Sequence, residues 1–410
     1  MAAGVRDRDQ LRPLDRVRHA LQLTGNLDQL LRAHPATLRG QLLTDRGGLG
    51  AQRGDPVPEL AGRLSGDHTH KATNRPGRPA RPSQKHVHPH ANPRHPYGEA
   101  MPLPLTVIPI PGPGAEDVLV APDGRIWTGT SDGAIHVHDP STGQTRTVTA
   151  TGGRPLGLEN LPDGRILICD AHRGLLALNP ATGDFETLLT EVDGERLLLC
   201  NNAAVTADGT IWFTDSSRVW RVEEWKSDLI EHTCTGRLFR RTPDGRVTTV
   251  LDQLCFANGV ALTAQGDAVL VAETGTRTIR RVHLTADGSP GATTTWVDDL
   301  PGHPDNIALG SDGLVWVTVA SPTDKALTLL QKSPRAVRGM VRRLPERLKP
   351  KPKETARVIA FDSTGRSVHD LDFDPTHWHL ATGVREHEGR VWLGSLVQPA
   401  IAFGDVPTTP

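Results

Sequence analysis

Four side chains able to offer oxygen to a hard cation recur at one offset. Glu116, Asn201, Asn258 and Asp305 each lie eight residues before a turn glycine, at Gly124, Gly209, Gly266 and Gly313. Two related turns, at Gly164 and Gly389, place Leu156 and Ala381 at that offset, so four of six positions are polar. Asn202 follows Asn201, and Asn306 follows Asp305. If the repeats close around an axis, these groups converge on it. Burying the carboxylates there unpaired would cost several kcal/mol each, and a cation removes that cost. Carboxylate and amide oxygens without cysteine are the donor set for Ca²⁺, with Mg²⁺ or Mn²⁺ as alternatives. The expected ligands are Glu116, Asn201, Asn258, Asp305 and Asn306. The same residues could instead hydrogen-bond neighbouring repeats, but four at one offset favour the metal.

A cation with an open coordination position polarises a carbonyl and stabilises the oxyanion formed when water adds. The water then needs a base. Asp305 is one candidate; His172, in Asp170-Ala171-His172-Arg173-Gly174 just after an apolar run, is the second. His303 precedes the Asp305-Asn306 pair, and for it, as for His172, a surface or satisfied role is the commoner one. The chain has no phosphate-binding loop or dinucleotide fingerprint, which argues against nucleotide use. Glu273 has Arg277 and Arg280 nearby and is expected to pair with one of them.

The elements that must hold these residues show in the turns. Asp-Gly or a close variant separates two β-rich runs at each of the six glycines, and glycine supplies the positive φ such turns need. Secondary turns at Asp132-Gly133, Thr182-Gly183, Asp244-Gly245, Asp287-Gly288 and Thr364-Gly365 imply four strands per repeat. The turn glycines are spaced 40, 45, 57, 47 and 76 residues apart, against roughly 40 to 50 for a four-stranded propeller blade. An all-β, six-bladed β-propeller over residues 101–410 follows, with insertions where the spacing is long. One insertion spans about 216–235. The other, about 324–354, carries ten Lys or Arg against three acidic residues, with apolar residues at helical spacing. It is expected to be a helical cap over one mouth; a basic amphipathic cap could also make peripheral contact with an anionic membrane.

Residues 1–100 are rich in Arg, Pro, Gly and His and have no sustained period, so they are expected to be a disordered extension, its six histidines between His68 and His95 included. A net charge of −1 and no basic stripe argue against nucleic acid as a partner. No apolar run is long enough to span a bilayer and no secretory h-region follows the first charges, so the expected location is cytoplasmic. Cys169, Cys200, Cys234 and Cys255 have no zinc spacing and are expected to be reduced thiols, a Cys200–Cys255 bridge being the alternative.

Residues 101–405 resemble the six-bladed propellers that include gluconolactonase and regucalcin, the paraoxonases, and the strictosidine-synthase-like proteins with the adipocyte plasma membrane-associated group. Phe256-Ala257-Asn258-Gly259, Asp305-Asn306, Asn201 and Glu116 look like paraoxonase ligand segments, and His172 sits where paraoxonases carry a catalytic histidine. The overall pattern is most similar to the strictosidine-synthase-like group, through Val271-Ala272-Glu273-Thr274, Pro304-Asp305-Asn306 and Glu386-His387-Glu388-Gly389. The resemblance implies calcium at the axis and a gluconolactonase-like hydrolase with lactonase or arylesterase activity on a small lactone or ester. A strictosidine-synthase-like condensing enzyme and a non-catalytic binding propeller are the alternatives. The former would need a glutamate where this chain has Thr382, and threonine cannot serve as a base near neutral pH.

Overall fold

The computed structural model describes residues 102–349 and 351–407; the expectations for residues 1–100 lie outside them. Six four-stranded antiparallel sheets form the blades of a propeller. The inner strands are Val118–Val120, Pro155–Asn160, Cys200–Val205, Ala257–Leu262, Gly302–Leu309 and Ala381–His387. All six turn glycines adopt positive φ, between 66° and 84°, as the hairpin reading requires.

The ring closes by an exchange that the turn pattern does not show. Thr106–Pro109, at the start of the described chain, pairs with Ala400–Asp405 and supplies the outer strand of blade six, Thr106 opposite Phe403. First and last segments thus share one sheet, and opening the ring requires breaking that pairing.

The core lies between blades. Trp127, Trp212 and Trp316, three residues after the turn glycines of blades one, three and five, are fully buried. Trp316 packs with Val384, Leu393 and Trp378 of the next blade, and its indole N–H donates to Asp312 Oδ2 at 3.1 Å.

Both insertions are helical and fold together as one cap. The first contains α1 (Trp225–Glu231). The second contains α2 (Lys325–Gln331) and α3 (Arg335–Arg342), separated at Ser333-Pro334. Asp324 caps α2, its carboxylate accepting from the N–H groups of Ala326 and Leu327. Gln331 Nε2 donates to Leu229 O at 2.9 Å, and Arg342 Nε pairs with Glu231 Oε1 at 2.5 Å, tying the second insertion to α1. None of the described helices is long and apolar enough to cross a membrane.

The cysteines correct the sequence expectation. Cys234 and Cys255 are joined by a disulfide, so neither the all-thiol reading nor the Cys200–Cys255 bridge stands; Cys169 and Cys200 are free and buried. The cause is the first insertion, whose return after α1 brings Cys234 against the segment leading into blade four, a proximity that spacing alone does not reveal.

Candidate metal centre

Each of the last five inner strands contains a break in register after its first few residues: between Cys200 and Ala203, Ala257 and Val260, Pro304 and Ile307, Ala381 and Val384, and Pro155 and Leu158. Two residues therefore sit in a bulge at each break, and bulges re-aim side chains. The first member of each pair faces one cavity at the cap-side mouth: Leu156, Asn201, Asn258, Asp305 and Thr382, with Glu116 from blade one. The offset count is right for five blades and one residue out in blade six, where the cavity receives Thr382 rather than Ala381.

The polar members present oxygen to that cavity. Asn201 Nδ2 donates to Ser216 Oγ at 2.8 Å, and Asn258 Nδ2 to Thr274 Oγ1 at 3.2 Å. Both amide donors are thus occupied, and Asn201 Oδ1 and Asn258 Oδ1 are left buried without a partner, as is Glu116 Oε2. The nearest cation to Glu116 Oε2 is Arg154 Nη2 at 3.9 Å, beyond hydrogen-bonding reach. Burial pushes the Glu116 carboxyl up to about 7, against the pull of Arg154 and with the push of Asp117. Burial, then the charge of Glu116, drives Asp305 well above the usual carboxylate range. A divalent cation would satisfy all four groups, and the hard, all-oxygen donor set fits calcium.

The second member of each bulge points elsewhere. Asp117, Asn202 and Asn306 occupy this position in blades one, three and five, while Gly157, Gly259 and Gly383 occupy it in blades two, four and six. The glycines are spacers: a Cβ at Gly259 would lie 2.3 Å from Ile307 N, and one at Gly383 2.6 Å from Asp117 Cα. Asp117 Oδ2 accepts from Leu158 N at 3.0 Å and Asn202 Oδ1 from Val260 N at 3.0 Å, stitching blade one to blade two and blade three to blade four. Asn306 is fully buried at this lower level and is not among the cavity-lining residues, and its side-chain nitrogen and oxygen have no hydrogen-bond partner among the described residues. Beneath it the Arg385 guanidinium lies 3.9 Å from Asp117 Oδ2 and donates to Leu158 O at 2.8 Å.

His172 is not brought to the cavity. Its side chain is 34% exposed and its Nε2 bonds to Glu223 Oε1 at 2.7 Å, on the cap's outer rim. His303 does line the cavity. Its Nδ1–H donates to Thr274 O at 2.9 Å, which fixes the tautomer and leaves Nε2 as a buried acceptor without a partner. Burial holds this imidazole below its ordinary pKa, hence neutral. The sequence signal for His303 was its place two residues before Asp305. Glu273 pairs with Arg280 at 3.8 Å and accepts from Cys255 N, outside the cavity. Thr382 Oγ donates to Glu116 O at 2.8 Å, a positioning contact with no acid–base capacity.

The walls above the polar floor are apolar: Leu156, Leu199, Trp225, Leu229, Phe256 and Leu327, from the blades and the cap. Apolar walls with few convergent polar groups are what a small organic ligand requires.

Comparison with known proteins accords with this architecture. Residues 126–327 match the SMP-30/gluconolactonase/LRE-like region, and residues 105–136 match the strictosidine synthase-like N-terminal family. The chain is 34% identical over 327 residues to the adipocyte plasma membrane-associated protein of Salmo salar, covering 71% of this chain and 77% of that one. Among solved structures, a gluconolactonase from Xanthomonas campestris superposes with a TM-score of 0.54 at 17% identity, covering 74% of this chain and 89% of that one. Regucalcin from Agrobacterium tumefaciens, described as a calcium-binding protein, superposes with a TM-score of 0.53 at 15% identity, covering 75% and 97%. At these identities the structural likeness speaks to the fold.

Proposed function

Because the chain belongs to the strictosidine synthase-like family of six-bladed propellers, which includes the adipocyte plasma membrane-associated proteins, we propose that its axis holds a divalent cation, calcium by preference, and hydrolyses a lactone or an aryl or alkyl ester. The observation that carries the reading is the convergence of three partnerless buried oxygens, on Glu116, Asn201 and Asn258, with the Asp305 carboxylate on one cavity. Glu116, Asn201, Asn258 and Asp305 would hold the ion. Bound there, it supplies Lewis-acid polarisation of a carbonyl.

The rest is done by the chain. The apolar walls seat the acyl or aryl part of the substrate and keep bulk water away. His303 Nε2, with Nδ1–H anchored on Thr274 O, accepts the proton of the attacking water, a role for which Asp305 is the second candidate. His172, engaged with Glu223 outside the cavity, has no path to that water. A condensing activity has no acid or base at Thr382 to support it. The match of residues 126–327 to the gluconolactonase-like region supports hydrolysis over condensation.

The cap supports a second element, peripheral contact with an anionic membrane. Lys325, Lys332, Arg335, Arg343 and Arg347 are exposed and pair with no carboxylate among the described residues. Met340 of α3 is 47% exposed beside them. The membrane-associated name of the Salmo salar relative is consistent with such a contact.

The test is metal content of the purified full chain, followed by turnover of a panel of lactones and aryl esters with and without chelator. Chelator-sensitive hydrolysis is expected. An Asp305→Ala variant with full metal affinity and full esterase activity would sink the proposal, and bound metal with no turnover on any substrate would favour a binding propeller.

A further inference from the structure

The Cys234–Cys255 bridge stands beside a third metal-binding side chain. His232, Cys234 and Cys255 present a ring nitrogen and two sulfurs that all lie within 4.8 Å of one another. A tetrahedral zinc site with Zn–S of about 2.3 Å and Zn–N of about 2.0 Å has ligand atoms roughly 3.5 to 3.8 Å apart. The three donors are already gathered to that scale, and reduction of the disulfide frees both sulfurs to ligate.

The surroundings hold the donors in place. His232 is the C-terminal cap residue of α1, and both His232 and Cys234 adopt left-handed backbone, with φ of 51° and 49°. Such values are uncommon for non-glycine residues and mark segments whose geometry is imposed by their surroundings. Thr233, between them, donates to the buried carboxylate of Asp228 at 2.6 Å, which pins the loop.

We infer that His232, Cys234 and Cys255, once the disulfide is reduced, form a site for a soft or borderline divalent metal, zinc in the first instance, that fastens the cap to blade four. Reduction by a dithiol supplies two electrons and two protons: the S–S bond breaks, two thiols form, and the reductant closes to its own disulfide. Zinc binding then releases both thiol protons, and water takes the fourth position. The N/S₂ donor set separates this site from the all-oxygen axis, so the two metals sort by ligand softness. Its placement gives it a mechanical role. Cys234 ends the cap insertion that carries Trp225 and Leu229, and Cys255 immediately precedes Phe256 and lies three residues before Asn258. Either bond, S–S or S–Zn–S, ties the cap to the strand that supplies one axial ligand.

Cobalt(II) titration of the full chain in excess phosphine reductant, followed by displacement with zinc, tests this. A sulfur-to-cobalt charge-transfer band saturating at one equivalent, absent from the oxidised protein and lost on zinc addition, is expected. Cys234→Ser and Cys255→Ser should each abolish the band, and His232→Ala should weaken cobalt affinity by about tenfold or more. Cys200→Ser should leave it unchanged. Each variant is checked for unchanged calcium binding at the axis, which reports folding. No band in the reduced wild type, or a band that survives Cys255→Ser or disappears with Cys200→Ser, overturns the inference.

Discussion

Withdrawing the axial cation should make the protein's stability fall as pH rises through the mildly acidic range, and returning it should remove that dependence. The sign follows from Glu116. Its carboxyl sits at about 7 in the folded, cation-free state against an ordinary value of 4.5. Between those values the native state holds more protons than the unfolded chain, so stability declines with rising pH. The full difference corresponds to about 3 kcal/mol at 1.36 kcal/mol per pH unit, most of it developed by about pH 7 and the rest just above. Asp305 is shifted in the same direction and adds to it, and Arg154, 3.9 Å from Glu116 Oε2, already opposes part of the effect. For a domain of this size roughly 2 °C accompanies each kcal/mol, so a melting-temperature difference of roughly 6 °C or more is expected to open between pH 4.5 and 7. Differential scanning calorimetry in chelator and in millimolar calcium measures it. The calcium-minus-chelator difference cancels the other titrating carboxylates, such as buried Asp228 and half-buried Asp362. Glu116→Gln should flatten the chelator curve. A difference that does not grow between pH 4.5 and 7, or one unchanged by Glu116→Gln, would refute the account of the axis.

Further outcomes follow from the same geometry. His303→Gln should lower kcat by about 10² or more while leaving metal stoichiometry intact, whereas Asp305→Asn should lower both; a His303→Gln enzyme with wild-type kcat would remove that residue from the mechanism. His172→Ala, on the outer rim, should change kcat less than about twofold, as steady-state kinetics on the same ester would show. Trp316→Ala, which empties a fully buried site between blades five and six, should cost about 3–5 kcal/mol in a denaturant titration. Arg335→Gln with Arg343→Gln should weaken binding to phosphatidylserine vesicles roughly thirtyfold at low salt, from about 1 kcal/mol per charge. Sedimentation at two salt concentrations would read the change.

The blades, their number and the position of the helical insertions were legible because each leaves a local signal: a glycine that must adopt positive φ, or a spacing too long for four strands. What was not legible depends on contacts between distant segments. The Thr106–Pro109 strand joins blade six across nearly the whole folded domain, and nothing in its four residues names its partner. The Cys234–Cys255 pairing needs the α1 insertion to fold back first. His172 follows a strand much as a mouth-facing residue should, yet a carboxylate from the cap insertion engages it at the rim.

The doublets Asn201-Asn202 and Asp305-Asn306 show how a correct pattern can mislead by one residue. Both members look like ligands in sequence, because adjacent polar residues at a propeller axis suggest a denser donor set. The bulge separates them: its first residue faces the cavity and its second faces the neighbouring blade. The second position alternates Asp117, Gly157, Asn202, Gly259, Asn306 and Gly383 around the ring. Polar side chains on blades one and three reach across, and a glycine on each even blade lets the backbones close to a distance no Cβ would allow. That alternation has a purpose distinct from metal binding. If the upper residues are to receive the proposed ion, the blades beneath them need other bonds, and Asp117 to Leu158 N and Asn202 to Val260 N supply two of them. The upper tier can then keep its oxygens free because the lower tier holds their backbone in place.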